Sequence, residues 1–294
     1  MTSQFEIWID GKKHNTDEAK VSVLDRGFLY GDSVFETLRT YGGRLFALDE
    51  HLERLASSAE RVFITLPRSL PELAAHLRQT VEQCPFPECY VRVMITRGQA
   101  ALGLDPRAAE NPLLVVIVAP LVPPSKQDQE NGIRAVTYEA ARLGDHTVAS
   151  GAKVGNYLVA VLGQKKAVEV GAKEALITTP QGEVLEGATS NLFWFEQGVL
   201  KTVPVEAGIL AGITRAHILR VADNSGIPIQ FSVPHLRELY QAQAVFISSS
   251  IREILSVVQI DDRVIADGQV QAMVRDLHTA LVHSARALSA NPMS

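Results

Sequence analysis

A few residues have types and spacings that could support chemistry. Gly212-Ile213-Thr214 sets a glycine and a hydroxyl residue where a helical pattern opens. Free N–H groups and the helix dipole favour an anion such as phosphate at such a point. Ser248-Ser249-Ser250 places three hydroxyls directly after an apolar, strand-like run. An ordinary N-cap and a polar loop would account for either feature equally well. Lys153 stands among small residues, Ser150-Gly151-Ala152-Lys153-Val154-Gly155, which allow another molecule close to the backbone. Lys173 has a similar Gly-Ala context, so local sequence does not separate the two lysines, and either could be a plain surface residue. The chain has no GxGxxG after a strand, no GxxxxGK[ST], no GxSxG and no HExxH. Its two cysteines, Cys84 and Cys89, read as reduced thiols rather than a disulfide. No second cysteine pair and no i, i+4 histidine pair is present, so no structural metal is expected.

These residues must be positioned by a chain of 294 residues that is 46% hydrophobic and 21% charged, which suits about two folded domains. The formal net charge of -5 argues against a protein whose main task is gripping nucleic acid. Met1 to Lys13 has no apolar leader core. The longest apolar stretch, Pro112 to Val122, is far short of the roughly 20 residues a membrane-spanning helix needs. No membrane attachment and a cytoplasmic location are therefore expected. Strands are expected at Glu6 to Ile9 and Ala19 to Val23 around the turn Asp10-Gly11, then at Ser33 to Thr40 and Arg44 to Ala47. Asp49 should cap a helix over Glu50 to Val62, followed by a second helix over Pro71 to Gln83. Tyr90 to Thr96 and Leu113 to Ala119 read as buried strands. Pro120 to Gly132 holds three prolines and a charged end and reads as a linker. The expected division is a small domain over 1–120, a linker over 121–132 and a larger domain over 133–294. In the larger part, a strand near Ile133 to Tyr138 precedes small residues over Gly144 to Gly155 and a helix over Asn156 to Val170. A four-strand meander follows between Ala175 and Lys201, then a helix from Gly212 to Gly226. Strands at Val245 to Ser248 and Ile254 to Ile260 lead to a closing helix over Gln269 to Leu288. The fold class is α+β.

Five separated segments, in matching order, resemble fold-type IV pyridoxal-phosphate (PLP) enzymes: YGDSVFETLR (30–39), HLERL (51–55), AKVGNY (152–157), EGATSNLF (186–193) and GITR (212–215). SSSIREI (248–254) resembles their late phosphate-side loop, which reads GTAAEI in many branched-chain aminotransferases. The similarity runs from about Trp8 to Arg263. On these motifs the chain is identified as a member of the family that includes branched-chain aminotransferases, D-amino-acid transaminases and aminodeoxychorismate lyases. The resemblance implies a small N-terminal α/β domain and a larger domain with a barrel-like sheet. It also implies PLP as cofactor and a homodimer in which a partner loop closes the substrate pocket.

Roles follow from the resemblance position by position. Lys153 matches the lysine that holds PLP and moves the proton between Cα and C4′. Tyr157 matches the tyrosine at the cofactor's phenolic oxygen, and Glu186 the carboxylate facing the pyridine nitrogen. Arg54 matches the arginine at the phosphate, joined there by Ile213, Thr214 and Ser250. Tyr30, Phe35, Arg39, Tyr90 and Arg92 match positions around the substrate, and Ser249 and Ile251 fall on the same side. Arg97 aligns with the carboxylate-binding arginine of D-amino-acid transaminases. Thr37 stands where branched-chain enzymes often have glycine and where aminodeoxychorismate lyases often have threonine. The expected reaction is transamination between an amino acid, branched-chain-like L-amino acids favoured, and a 2-oxo acid such as 2-oxoglutarate. The alternatives are release of pyruvate and 4-aminobenzoate from aminodeoxychorismate, and D-amino-acid transamination.

Overall fold

The computed structural model describes residues 5–140 and 149–290, so residues 144–148 of the small-residue stretch lie outside it. The chain sorts into two compact units. The first takes 1–122, 152–156 and 285–294, and the second takes 123–151 and 157–284. A single cut between 120 and 133 does not describe this division. The segment around Lys153 belongs with the first unit because its backbone hydrogen-bonds to a strand there.

In the first unit the elements are β1 (Glu6–Ile9), β2 (Lys12–His14), α1 (Arg26–Tyr30), β3 (Ser33–Tyr41), β4 (Arg44–Leu45), α2 (Leu48–Arg61), α3 (Leu70–Glu82), β5 (Cys89–Thr96) and β6 (Leu113–Pro120). They form a six-stranded antiparallel sheet in the order β2-β1-β6-β5-β3-β4. Asp10 and Gly11 both have positive φ, 50° and 83°, the backbone of a two-residue hairpin turn. That turn pairs Ile9 with Lys12. The second strand is therefore 12–14, and 19–23 is not a strand as expected, since the tight turn leaves it no ladder to join. Leu52 and Leu55 of α2 and Leu73 and Leu77 of α3 are buried with Val34, Leu38, Val91, Val93 and Ile95, so both helices cover one face of the sheet. Each such leucine contributes about 2 kcal/mol by leaving water. Asp49 is not the cap of α2. Ala47, in the left-handed region, takes that place, and Asp49 lies in the first turn, where its charge still suits the helix dipole.

The second unit runs α4 (Lys126–Asn131), β7 (Ile133–Glu139), α5 (Leu158–Glu169), β8 (Glu174–Thr178), β9 (Val184–Gly187), β10 (Asn191–Glu196), β11 (Val199–Thr202), α6 (Ile213–Asn224), β12 (Ile229–Phe231), α7 (Leu236–Leu239), β13 (Ala244–Ser249), β14 (Glu253–Ile260) and β15 (Arg263–Val264), and includes most of α8 (Ala272–Ala290). Helix α4 occupies part of the expected linker. It buries nothing and is capped by Ser125, so it lacks the apolar period that marks a helix in sequence. The sheet order is β12-β11-β10-β13-β14-β7-β8-β9, with β15 on β14. Strand β9, at one end of that order, bridges back to the β10 side through Gly187 and Ser190, which curls the sheet into a half-barrel. Alternate residues face opposite ways. Leu192 and Trp194 enter one core with Leu176, Ile247 and Val257. Phe193 and Phe195 enter another with Phe246, Ile218, Val221 and Leu277, beneath α6 and α8. The expected α+β class is met. Among the described residues no helix is long and apolar enough to cross a membrane.

Candidate active site

Strand β3 organises the first unit's chemistry because its two faces do different work. Glu36 points to the helix-covered face and has no solvent exposure. A bare carboxylate there would be costly, and α2 supplies its partners. Arg54 Nε donates to Glu36 Oε1 at 2.7 Å and Arg54 Nη2 to Oε2 at 2.7 Å, a side-on pair. His51, three residues before Arg54 and so on the same helix face, lies with Nδ1 2.8 Å from Oε2. Burial opposes ionisation of Glu36, but Arg54 and then His51 outweigh it and hold the carboxyl at about 2. Burial pushes His51 below its ordinary value against the pull of Glu36, with Arg54 and Lys153 adding to the fall. His51 is therefore neutral near pH 7 and donates from Nδ1.

One turn after Arg54, Ser58 Oγ accepts from the Lys153 backbone N–H at 3.1 Å. The Lys153 carbonyl accepts from Phe35 N at 3.1 Å, Val34 bridges Val154, and Gly155 N donates to Ser33 O at 2.8 Å. Segment 153–155 thus lies along β3 as a short added strand. Glycine at 155 suits this close approach, since a Cβ would stand 2.1 Å from Ser33 Oγ and would force that side chain to move. This fixes the Lys153 main chain and leaves its amine 4.5 Å from the Phe35 ring centroid, with the Arg92 guanidinium 3.9 Å from that same centroid. Lys173 differs: it is exposed and faces Asp128 at 3.6 Å.

Phe35, Thr37 and Arg39 share the other face of β3, opposite Met94, Arg92 and Tyr90 in register. Arg39 is buried, stacks 4.2 Å from Tyr41 and donates to Thr40 O. Tyr30 accepts at its hydroxyl from Gly103 N at 3.2 Å. Arg97 does not join this group. Its Nε and Nη2 grip Asp32 at 2.7 and 2.9 Å, and Nη1 and Nη2 donate to the carbonyls of Phe63 and Val62. Asp32 also accepts from Arg26, and although burial opposes it, the two arginines hold its carboxyl below the ordinary value. Four of its five N–H donors are engaged in these contacts, which gives Arg97 a structural task on the opposite side of the strand from the Phe35 group.

In the second unit, Tyr157 precedes α5 and is half-buried. Glu186 on β9 is half-buried and accepts from Leu210 N at 3.2 Å, while Asn191 Nδ2 donates to Leu210 O at 2.8 Å. These two side chains hold the loop that enters α6. Gly212 caps α6 with no side-chain hydrogen bond, and a Cβ there would lie 1.9 Å from Asn191 Oδ1. The first N–H groups of the helix, at Ile213 and Thr214, are thus left without a side-chain cap. Ser248 pairs with Asn191 across the sheet and is buried, and its Oγ has no partner among the described residues. Ser249 Oγ accepts from Arg252 N at 3.3 Å in the turn that also carries Ser250 and Ile251. Among the described residues no cluster of His, Cys, Asp and Glu could hold a metal ion.

A family model described as amino-transferase class IV matches residues 33–260. The chain belongs to the class IV aminotransferases. It is 38% identical over 272 residues to a putative branched-chain-amino-acid aminotransferase of Methanocaldococcus jannaschii, covering 92% of this chain and 93% of that one. It is 33% identical to a D-alanine aminotransferase of Bacillus licheniformis, covering 95% and 96%. Among solved structures, it is similar to the branched-chain aminotransferase of Escherichia coli, with a TM-score of 0.91, 29% identity and 97% and 95% coverage. Class IV aminotransferases depend on PLP, and this member offers groups that fit it. They are a primary amine on a fixed main chain at Lys153, a carboxylate at Glu186, and an uncapped twelve-residue helix beside a buried, unpartnered hydroxyl at Ser248.

Sequence reasoning missed Glu36, His51, Glu174 and Arg252. A signal existed for Glu36: it sits at an inward position of an apolar strand, and His51-x-x-Arg54 offers two nitrogens on one helix face. Glu174 and Arg252 gave none, being 78 residues apart.

Proposed function

We propose that this aminotransferase moves an amino group between an amino acid, branched-chain-like L-amino acids favoured, and a 2-oxo acid such as 2-oxoglutarate. PLP, when bound, supplies the electron sink that makes Cα acidic. Lys153 holds the cofactor and carries the proton between Cα and C4′. Glu186 keeps the pyridine nitrogen protonated, and Tyr157 hydrogen-bonds the phenolic oxygen. Arg54, the N–H groups of Ile213 and Thr214, and the Thr214 and Ser250 hydroxyls hold the phosphate. Arg92 receives a substrate carboxylate, with Tyr30, Phe35, Thr37, Arg39, Tyr90, Ser249 and Ile251 around the substrate. The enzyme acts as a cytoplasmic homodimer, a reading supported by the motif resemblance.

The observation that carries this reading is the Phe35 ring with the Lys153 amine on it at 4.5 Å and the Arg92 guanidinium at 3.9 Å. One aromatic ring lies against both a proton-carrying amine and a carboxylate-binding cation, a pairing that suits an amino acid. The engagement of Arg97 with Asp32, Val62 and Phe63 weighs against the D-amino-acid reading, and Thr37 opposite Arg92 keeps the lyase reading in play. The test mixes the holoenzyme separately with L-leucine, L-glutamate, D-alanine and aminodeoxychorismate and follows the cofactor's visible band. Loss of the band with L-leucine and L-glutamate is expected. Consumption of aminodeoxychorismate alone, with pyruvate released, would make the enzyme a lyase. A response to D-alanine alone would move it to the D-amino-acid branch.

A further inference from the structure

Glu174 opens β8 with no solvent exposure and lies outside the set of residues proposed to touch cofactor or substrate. Its carboxylate accepts from the Arg252 guanidinium, from Ser190 Oγ at 2.9 Å and from Thr189 Oγ1 at 3.4 Å, and its other oxygen accepts from Ala175 N at 3.0 Å. Apart from Ala175, which is on β8 itself, these partners come from two separate loops. One is the turn 187–190, closed by Gly187 N donating to Ser190 O at 2.7 Å, and Glu186 immediately precedes it. The other is the turn 249–252, closed by Arg252 N donating to Ser249 Oγ. A Cβ on residue 187 would stand 2.1 Å from Ser190 Oγ and 3.2 Å from the Glu174 carboxylate, so glycine is what lets the contact pass.

A buried ion pair is weak support for stability, because desolvation cancels most of its attraction. Where one is kept, fixing a single arrangement of the chain is its best-attested use. Here that arrangement sets one loop against the other. We infer that Glu174 and Arg252 are positioning residues that fix the spacing between Glu186 and the hydroxyls of Ser249 and Ser250. The inference rests on the reading of Glu186 and Ser250 as contacts to the two ends of PLP. A ligand bridging both loops loses affinity when their spacing loosens, even if each loop stays folded.

The test compares the wild-type enzyme with Glu174→Gln, Arg252→Met, their double variant, Ser190→Ala and Glu186→Gln. Three readouts are taken: apo-enzyme melting temperature, PLP dissociation constant from the visible band, and the pH midpoint of that band. Each single charge variant leaves a buried charge unpaired and lowers the melting temperature. The double variant removes both charges and recovers it. Its PLP dissociation constant should nevertheless stay roughly ten- to hundredfold above wild type, with the band's pH midpoint displaced. Ser190→Ala cuts one arm while leaving the ion pair, and should weaken PLP severalfold with little change in melting. It carries the same test if the double variant fails to fold. Wild-type PLP affinity and an unmoved midpoint in the double variant, or in Ser190→Ala should that one alone fold, would overturn the inference. Glu186→Gln separates the two levels. If it leaves the midpoint unmoved, the reading of Glu186 itself fails. If it moves the midpoint and the tether variants do not, only the tether fails.

Discussion

Glu36 and Glu174 are both carboxylates with no solvent exposure, and each faces an arginine, but their partners come from different kinds of structure. Glu36 is satisfied by His51 and Arg54, three residues apart on one helix. Helical geometry delivers both nitrogens together, so the cluster forms once α2 packs on β3. Glu174 is satisfied by Ser190 and Thr189 from one loop and Arg252 from another. Nothing local brings these together, and the curled sheet must form first. The first arrangement anchors a regular element, and the second ties loops that have little rigidity of their own. Similar burial can therefore have different consequences. Damage at Glu36 should appear first as lost stability, with any effect on ligand passing through Arg54, whereas damage at Glu174 should appear chiefly as lost ligand affinity once the charges are balanced.

The largest expected effect is at Glu36. Glu36→Gln leaves Arg54 without its charge partner inside the core and should cost about 3–5 kcal/mol by denaturant unfolding. Adding Arg54→Met should recover part of that cost in stability. A cost under about 1 kcal/mol for the single change would break the comparison, since such values are typical of exposed pairs.

Acid should reproduce much of this loss without mutation. The Glu36 carboxyl falls from an unfolded value of 4.5 to about 2, so its contribution is present above 4.5 and disappears as pH drops through about 2. That contribution is about 3 kcal/mol at neutral pH. His51 acts in the same direction over a higher range. It is held neutral in the fold, so stability begins to fall as pH drops below its ordinary 6.5. Unfolding free energies from pH 7 to pH 2 should decline across this window, and Glu36→Gln should flatten the part between 4.5 and 2.

A smaller effect separates Arg92 from Arg97, two of the arginines expected to meet substrate. Arg97→Lys cannot reproduce the fork to Asp32 and the two carbonyls, and should cost about 1–3 kcal/mol of stability while leaving KM close to wild type. Arg92→Ala should do the reverse, raising KM about tenfold with a stability change near 1 kcal/mol or less. Equal rises in KM from both would restore Arg97 to the substrate side.

Much of this was legible in the sequence where period and turn chemistry were strong. The helices over 48–61 and 70–82 follow from apolar spacing, and so do the strands between 174 and 202, but not their pairing. β8–β9 and β10–β11 are two hairpins set apart in the sheet order by β13, β14 and β7, not the one meander expected, because long-range strands insert between them. Helix α4 was not legible because it buries nothing, and the strand expected over 19–23 failed because the Asp10-Gly11 turn had already fixed the edge pairing. In the candidate site, Lys153 stood out by motif resemblance and not by its own surroundings, which Lys173 shares. What separates them is tertiary. The Lys153 main chain is pinned by Ser58 and β3, whereas Lys173 sits exposed beside Asp128. Arg97 matched a motif position, but only the fold reveals that Asp32 and two carbonyls occupy four of its five donors.

The most direct test of the central claim is borohydride reduction of the PLP-loaded enzyme followed by peptide mapping of the fixed cofactor. The adduct should fall on Lys153 in full, and Lys153→Ala should show none and no transamination. An adduct on Lys173 or on another lysine, with Lys153 unmodified, would contradict the account.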